Sequence, residues 1–303
     1  MKRLLLWLVG GVGAVGLGIF ALLTLAPEEV VELSQWQAAR SAGLESKTVA
    51  VGGYETHYYE GDTGPTLVML HGMADDRNSF VAAAAHLTDS YHVILPDLMG
   101  HGSNARDPEL DYSIAGQEAF VERFVDVLGL DTFFLVGNSM GGHISAAYAL
   151  DYPARVNKLV LVNAPGLVVD DTVVYGGFGA PLETVADFDA LMARVLFNPP
   201  SLPAPIKKYM IQTTNARMDF INGLAVAVRD GANYDLSARI DQVITPTLVL
   251  WGAEDAVVPF AVAANYAAKI SDAQLILLPD AGHSPQMEAP VRVAQAIDSF
   301  LKR

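Results

Sequence analysis

The chain has 303 residues, 51% of them apolar, with 34 acidic against 19 basic side chains and a formal charge of −15. That length suits one large α/β domain with room for an inserted lid. The charge argues against a nucleic-acid partner, which calls for a basic face, and against electrostatic attraction to anionic lipid head groups.

The first element is apolar. Leu4 to Ala26 carries no charge and as a helix would span about 34 Å, enough to cross a bilayer core. Lys2 and Arg3 precede it and Glu28 and Glu29 follow, so the positive-inside rule puts the N-terminus in the cytoplasm and everything after Ala26 on the other, extracytoplasmic side. A cleaved signal peptide is the rival, but the apolar region is longer than the usual one and Thr24-Leu25-Ala26 is a poor cleavage site. Gly11-Val12-Gly13-Ala14-Val15-Gly16 spells a dinucleotide fingerprint without the nucleotide-binding fold that would give it meaning. Gly10, Ala14 and Gly18 lie four apart on one helical face, a small-residue stripe on which two such helices could pack as a homodimer. Residues 1–26 thus read as a membrane anchor and 27–46 as a juxtamembrane segment. Within it, Pro27 to Gly43 suits a short interfacial helix with Trp36 at head-group level.

Residues 47–303 read as the catalytic domain. A β-rich start to about Glu60 precedes strands near 66–70, 92–96, 133–137, 158–163, 246–251 and 274–278, alternating with helical stretches. That alternation predicts a mainly parallel sheet with helices on both faces. One interval, about 166–244, is too long for a simple crossover and reads as an inserted helical cap, with helix-like segments at Ala186–Leu196, Pro205–Thr213 and Met218–Val228. Its Met192, Leu196, Phe197, Met210, Met218 and Phe220 are candidates to line an acyl pocket, against the plainer role of packing cap on core.

Gly137-Asn138-Ser139-Met140-Gly141 follows an apolar run, Phe133 to Val136, and precedes a helical one from His143 to Leu150. In that setting G-x-S-x-G predicts a nucleophile elbow: a sharp strand-to-helix turn that exposes a serine and leaves little room for side chains two residues either side. The Met140 N–H is then a candidate oxyanion donor. A serine needs a base and an orienting acid, in the order Ser, Asp/Glu, His. Asp255 lies just past the strand ending at Gly252, with Glu254 as its rival, and His283 follows the next strand. Loops at the carboxyl ends of parallel strands converge, which would bring the three together. The loop after Leu70 should supply the second oxyanion N–H, with Met73 as candidate and His71 as a loop-shaping residue. Asp97, His101 and Gly102 read as structural. His57, His86, His92 and His143 have no ligand-like spacing and read as solvated or hydrogen-bonded. There is no H-E-x-x-H, no EF-hand pattern and no cysteine, so no metal or cofactor is called for.

Over residues 47–303 the chain resembles the α/β-hydrolase superfamily. Asp111 to Gln117, Leu135 to Gly142 and Asn163 to Leu167 are similar to membrane-anchored monoacylglycerol lipases and bacterial anchored lipase and phospholipase A relatives. The resemblance implies a serine hydrolase of lipid carboxylesters, with Ser139 as nucleophile, His283 as base, Asp255 as orienter, and Met73 and Met140 amides as oxyanion hole. The elbow is equally similar to the carbon–carbon bond hydrolases of aromatic degradation. Those usually carry a tryptophan after the catalytic histidine, where this chain has Ser284, and a glycine-rich oxyanion loop, where it has Met73-Ala74-Asp75. A non-catalytic receptor or adhesion module on the same fold is the third reading.

Overall fold

The structure is a computed structural model that describes residues 22–61, 64–169, 175–176 and 179–303. Most of the Leu4–Ala26 span and the whole Gly10/Ala14/Gly18 stripe lie outside the described residues. Among the described residues, no helix is long and apolar enough to cross a membrane.

The segment after Ala26 forms helix α1 (Pro27–Ser41). Proline at its start, Glu28 and Glu29 in its first turn and Arg40 in its last all suit the helix dipole. Its exposed side carries Leu33 and Trp36, the Arg40 guanidinium lying 5.6 Å over the Trp36 ring.

Eight strands then form one sheet: β1 (Glu45–Val51), β2 (Tyr54–Glu60), β3 (Thr66–Leu70), β4 (His92–Pro96), β5 (Phe133–Asn138), β6 (Val156–Val162), β7 (Thr247–Gly252) and β8 (Ala273–Leu278). Their spatial order is β1-β2-β4-β3-β5-β6-β7-β8. The β1–β2 hairpin is antiparallel and joins β4 antiparallel, whereas β4, β3, β5, β6, β7 and β8 all run parallel. The parallel strands are the apolar runs of the sequence; β3 to β7 are largely buried on both faces, as crossovers require, while the edge strand β8 leaves Leu275 and Leu277 exposed.

Because side chains alternate along a strand, the sheet divides the core in two. Val68 and Leu70 face one cluster, shared with α3 (Ile114–Val127), α4 (Met140–Asp151) and α7 (Phe260–Lys269). Leu67 and Met69 face the other, shared with α1, α2 (Val81–Ala84) and α9 (Pro290–Leu301). The short α8 (Pro285–Glu288) leads into α9.

Between β6 and β7 the chain inserts α5 (Val185–Val195) and α6 (Ala204–Asp230). The sequence suggests two helices where α6 is one of 27 residues. The polar Thr213-Thr214-Asn215 stretch stays helical because its groups are satisfied: Asn215 exchanges two hydrogen bonds with the Leu182 backbone, at 2.9 and 2.8 Å, and the Thr213 hydroxyl donates to Met210 O. Tertiary partners override the weak local propensity. Helix α6 packs against both α5 and α1.

The chain leaves β3 toward β4 on one side and returns to place β5 on the other. That switch point opens a crevice at the carboxyl ends of β3 and β5.

Candidate active site

Ser139 stands in the crevice, between the end of β5 and the start of α4, with φ +53° and ψ −123°. A serine in that region is strained, and the glycines around it are sterically required. A Cβ on Gly137 would lie 2.2 Å from Gly141 O, and one on Gly141 2.2 Å from Leu70 O. The α4 amino terminus places its dipole behind the Ser139 hydroxyl.

His283 Nε2 is 2.8 Å from Ser139 Oγ, and His283 Nδ1 is 2.9 Å from Asp255 Oδ2. Asp255 Oδ2 also accepts from Asn163 Nδ2 at 2.7 Å, and Oδ1 accepts the Val257 and Val258 amides at 2.7 and 3.0 Å. Burial by itself would raise this carboxyl, but the His283 and Asn163 hydrogen bonds and the Val258 amide outweigh it and hold it below the usual carboxylate range. An ionised Asp255 is acceptor-only, so the facing His283 Nδ1 carries the proton and Nε2 is left to accept from Ser139. Glu254 makes no such contact with His283; its amide donates to Ala281 O.

The loop after β3 lies alongside. A Cβ on Gly72 would be 3.1 Å from Ser139 Cβ. His71 is buried, its Nε2 accepting the Leu98 amide at 3.0 Å and its Nδ1 lying 2.7 Å from Gly72 O. An accepting Nε2 fixes the neutral tautomer with the proton on Nδ1, and burial, which lowers the His71 pKa, favours the same form. His71 therefore donates to the Gly72 carbonyl. In a trans peptide the N–H of Met73 then points the opposite way. Among the described residues neither the Met73 nor the Met140 amide has a hydrogen-bond acceptor, so both are available to a developing oxyanion. Asp75, two residues beyond Met73, has its carboxyl pushed up to about 7 by burial and then by Asp76.

The remaining loops are braced internally. Asp97 is fully buried and accepts from the Arg77 amide at 2.8 Å, from the Arg77 guanidinium and from the Ser103 amide at 2.9 Å. A Cβ on Gly102 would collide with it at 2.2 Å. His101 packs edge-on against His71 with centroids 5.2 Å apart, and burial lowers its pKa to about 3. His143, one turn along α4 from Ser139, lies 2.9 Å from Asn233 O and 3.0 Å from the Tyr175 hydroxyl. Burial lowers its pKa to about 4.

The cap residues separate by environment. Leu196 and Met218 are buried, Met192 and Met210 half-buried, and Phe197 exposed. Phe220 packs edge-on against Tyr112, centroids 5.2 Å apart, and a Cβ on Gly100 would touch its ring at 2.8 Å. It seats the cap on the core, the packing role. The Phe197 backbone instead approaches Gly282, beside His283.

Three contributors escape the sequence reading. Asn163, at φ +46°, accepts the Gly252 amide at 3.0 Å while donating to Asp255, and so ties β6 to the acid. Asn138 donates to His283 O at 3.0 Å and accepts from Gln286 at 3.1 Å. Glu288 accepts the Gly282 amide at 2.8 Å. The two asparagines act across the sheet ends and Glu288 within the loop that carries His283, where no motif spacing could announce them.

The model of the α/β-hydrolase-fold family matches residues 65–200 and 186–290. The chain belongs to the α/β-hydrolase family. Among relatives of this hydrolase, Lipase 3 of Moraxella sp. (strain TA144) is 31% identical, the match covering 91% of this chain and 90% of the relative. Monoacylglycerol lipase ABHD6 of Homo sapiens is 29% identical, over 97% of this chain and 93% of the relative. The solved structure of a bacterial membrane phospholipase A superposes on this α/β-hydrolase with a TM-score of 0.86 at 29% identity, covering all of this chain and 98% of that one.

Proposed function

We propose that Ser139 is the nucleophile, His283 the general base, Asp255 its orienter and the Met73 and Met140 amides the oxyanion hole of a serine hydrolase that cleaves lipid carboxylesters: monoacylglycerol, lysophospholipid or phospholipid. The protein is a lipase-type serine hydrolase, with lipase relatives over nine-tenths of its length. The observation that carries the residue assignment is the unbroken relay Asp255–His283–Ser139 at 2.9 and 2.8 Å beside two amides without acceptors.

In the reaction His283 Nε2 takes the Ser139 proton as Oγ attacks the ester carbonyl, and the oxyanion is held by the two amides. Collapse breaks the ester C–O bond, and the alcohol leaves with the proton that His283 returns. Water, deprotonated by the same nitrogen, then attacks the acyl-enzyme and releases the fatty acid. Asp255 keeps the proton on Nδ1 throughout and stabilises the transient imidazolium.

The substrate is presented at a membrane in this reading. Leu4–Ala26 is the single-pass anchor, the catalytic domain lies on the extracytoplasmic side, and two copies pair along Gly10, Ala14 and Gly18. The uncharged run and its flanking Lys2 and Arg3 support this, as do exposed Leu22, Leu25, Leu33 and Trp36 at the start of the described chain. The half-buried cap side chains Met192 and Met210, with Leu196, Phe197 and Met218, supply apolar surface for the acyl chain.

The test is fatty-acid release from monoacylglycerol, lysophospholipid, diacyl phospholipid and a short aryl ester by detergent-solubilised wild type beside Ser139→Ala. Serine-dependent release from lipids is expected. Undiminished hydrolysis by a pure Ser139→Ala sample overturns the nucleophile, and serine-dependent turnover of the aryl ester alone overturns the lipid substrate.

A further inference from the structure

The catalytic histidine is bonded to the cap. The His283 N–H donates to Val195 O, the last residue of α5, at 2.9 Å. On one side of that bond, Glu288 Oε1 accepts the Gly282 amide at 2.8 Å; on the other, Glu288 Oε2 accepts the Asn198 amide at 3.0 Å. One carboxylate thus joins the loop that presents His283 to the chain leaving α5. A Cβ on Gly282 would lie 2.8 Å from Phe197 N and 3.0 Å from Val195 O, so the two backbones are in van der Waals contact with no room for a side chain between them. From below, Asn138 holds the His283 carbonyl at 3.0 Å. The histidine backbone is therefore pinned at its carbonyl by the residue before the nucleophile, and at its N–H by the cap.

Local structure gives Glu288 no reason to be there. It closes α8, a four-residue helix whose carboxyl end disfavours negative charge, and among the described residues it makes no ion pair. Both oxygens go instead to main-chain amides, the charge-assisted kind of hydrogen bond and the stronger one.

We propose that Glu288 is a positioning residue that latches the end of α5 to the His283 loop, so that seating of the cap sets the distance from His283 Nε2 to Ser139 Oγ. The proposal rests on the assignment of Ser139 and His283 made above. Its consequence is that the cap is no free lid at this end: displacing α5 moves the base, and the relay is complete only with the cap seated. Since α6 packs on α5 and α1 packs on α6, the helix that follows the apolar N-terminus adjoins the same rigid body.

The variants are Glu288→Gln, which keeps the shape and turns one acceptor into a donor, and Glu288→Ala, which removes both acceptors. Each is measured as full-length protein in detergent for kcat and KM on a short aryl ester and for the rate of Ser139 labelling by a small fluorophosphonate, with Ser139→Ala as the control that tests the nucleophile separately. A misplacement of the base by a fraction of an ångström lowers kcat and labelling in parallel, by about 10-fold for Gln and up to about 100-fold for Ala, with KM nearly unchanged. Labelling and kcat within about two-fold of wild type in folded Glu288→Gln overturn the latch, as does a change confined to KM, the mark of a contact that only shapes the cap. Hydrogen exchange on the wild type supplies a reading that no variant can confound. Joint protection of the Gly282 and Asn198 amides is expected, and free exchange at Asn198 beside a protected Gly282 overturns the proposal.

Discussion

Replacing Asp255 by asparagine changes one atom and tests the direction of every hydrogen bond in the relay. The carboxylate is nearly fully buried, its side chain 2% exposed, and all four of its acceptor positions are used: Val257 and Val258 amides on Oδ1, His283 Nδ1 and Asn163 Nδ2 on Oδ2. Asparagine has one oxygen. Turned with its NH₂ toward the two backbone amides, it would strand two buried donors at about 1–3 kcal/mol each, so its oxygen must stay with Val257 and Val258. The NH₂ then faces His283 and Asn163. Asn163 cannot flip to receive it, because its own oxygen holds the Gly252 amide. The imidazole is left to turn acceptor at Nδ1, which moves its proton to Nε2, facing Ser139 Oγ, where a base is needed. The expected loss is about 10⁴ in kcat, or about 5.4 kcal/mol of transition-state stabilisation. The assay is saturating turnover of a short aryl ester at neutral pH, beside Ser139→Ala, with thermal unfolding to show that the fold is intact. An Asp255→Asn enzyme that keeps more than about a tenth of wild-type kcat would refute the reasoning from tautomers.

Three further outcomes follow from the geometry. Gly141→Ala drives a Cβ to 2.2 Å from Leu70 O and 2.5 Å from His71 O, so it should cost more than about 4 kcal/mol and yield little soluble protein, whereas Gly223→Ala, inside α6 with open space around it, should express normally. Phe220→Ala should lower Tm by several degrees through lost contact with Tyr112 while leaving the acyl-chain profile unchanged; an altered chain-length preference would return Phe220 to the acyl pocket. Glu118, which accepts from Asn233 at 3.0 Å, has its carboxyl raised to about 7 by burial and then by Asp151. A raised acid binds its proton more tightly folded than unfolded, so its contribution falls as pH rises from about 4.5 to about 7. Glu118→Gln does not titrate, and its Tm relative to wild type should climb by a few degrees between pH 5 and pH 8; a constant difference across that range would show that Glu118 is not linked to folding.

The sheet was legible because its causes are local. The apolar runs at 66–70 and 92–96 are strands with those bounds, and the others differ by a residue or two at their ends. Fully buried parallel strands need continuous apolar sequence whatever surrounds them. The elbow was legible for a steric reason: only glycine fits at 137 and 141, so the motif records the turn directly. The cap was harder. The stretch between Thr213 and Met218 reads as a break between two helices, whereas α6 runs through it with Asn215 satisfied by the Leu182 backbone.

What the sequence determined by itself is the turn that exposes Ser139, the candidate groups on the neighbouring loops and the order of the elements that carry them, since steric demand at a turn and the period of apolar residues act within a few positions. The tertiary structure alone decided which neighbours hold those groups in register. Asn163 on Asp255 spans 92 residues and Asn138 on His283 spans 145. Such bonds join the carboxyl ends of strands brought side by side by the sheet, and a polar side chain looks the same in a sequence whether it meets water or the backbone of His283. Phe220, too, is apolar on either reading, and only the ring of Tyr112 against its edge makes it part of the seam between cap and core.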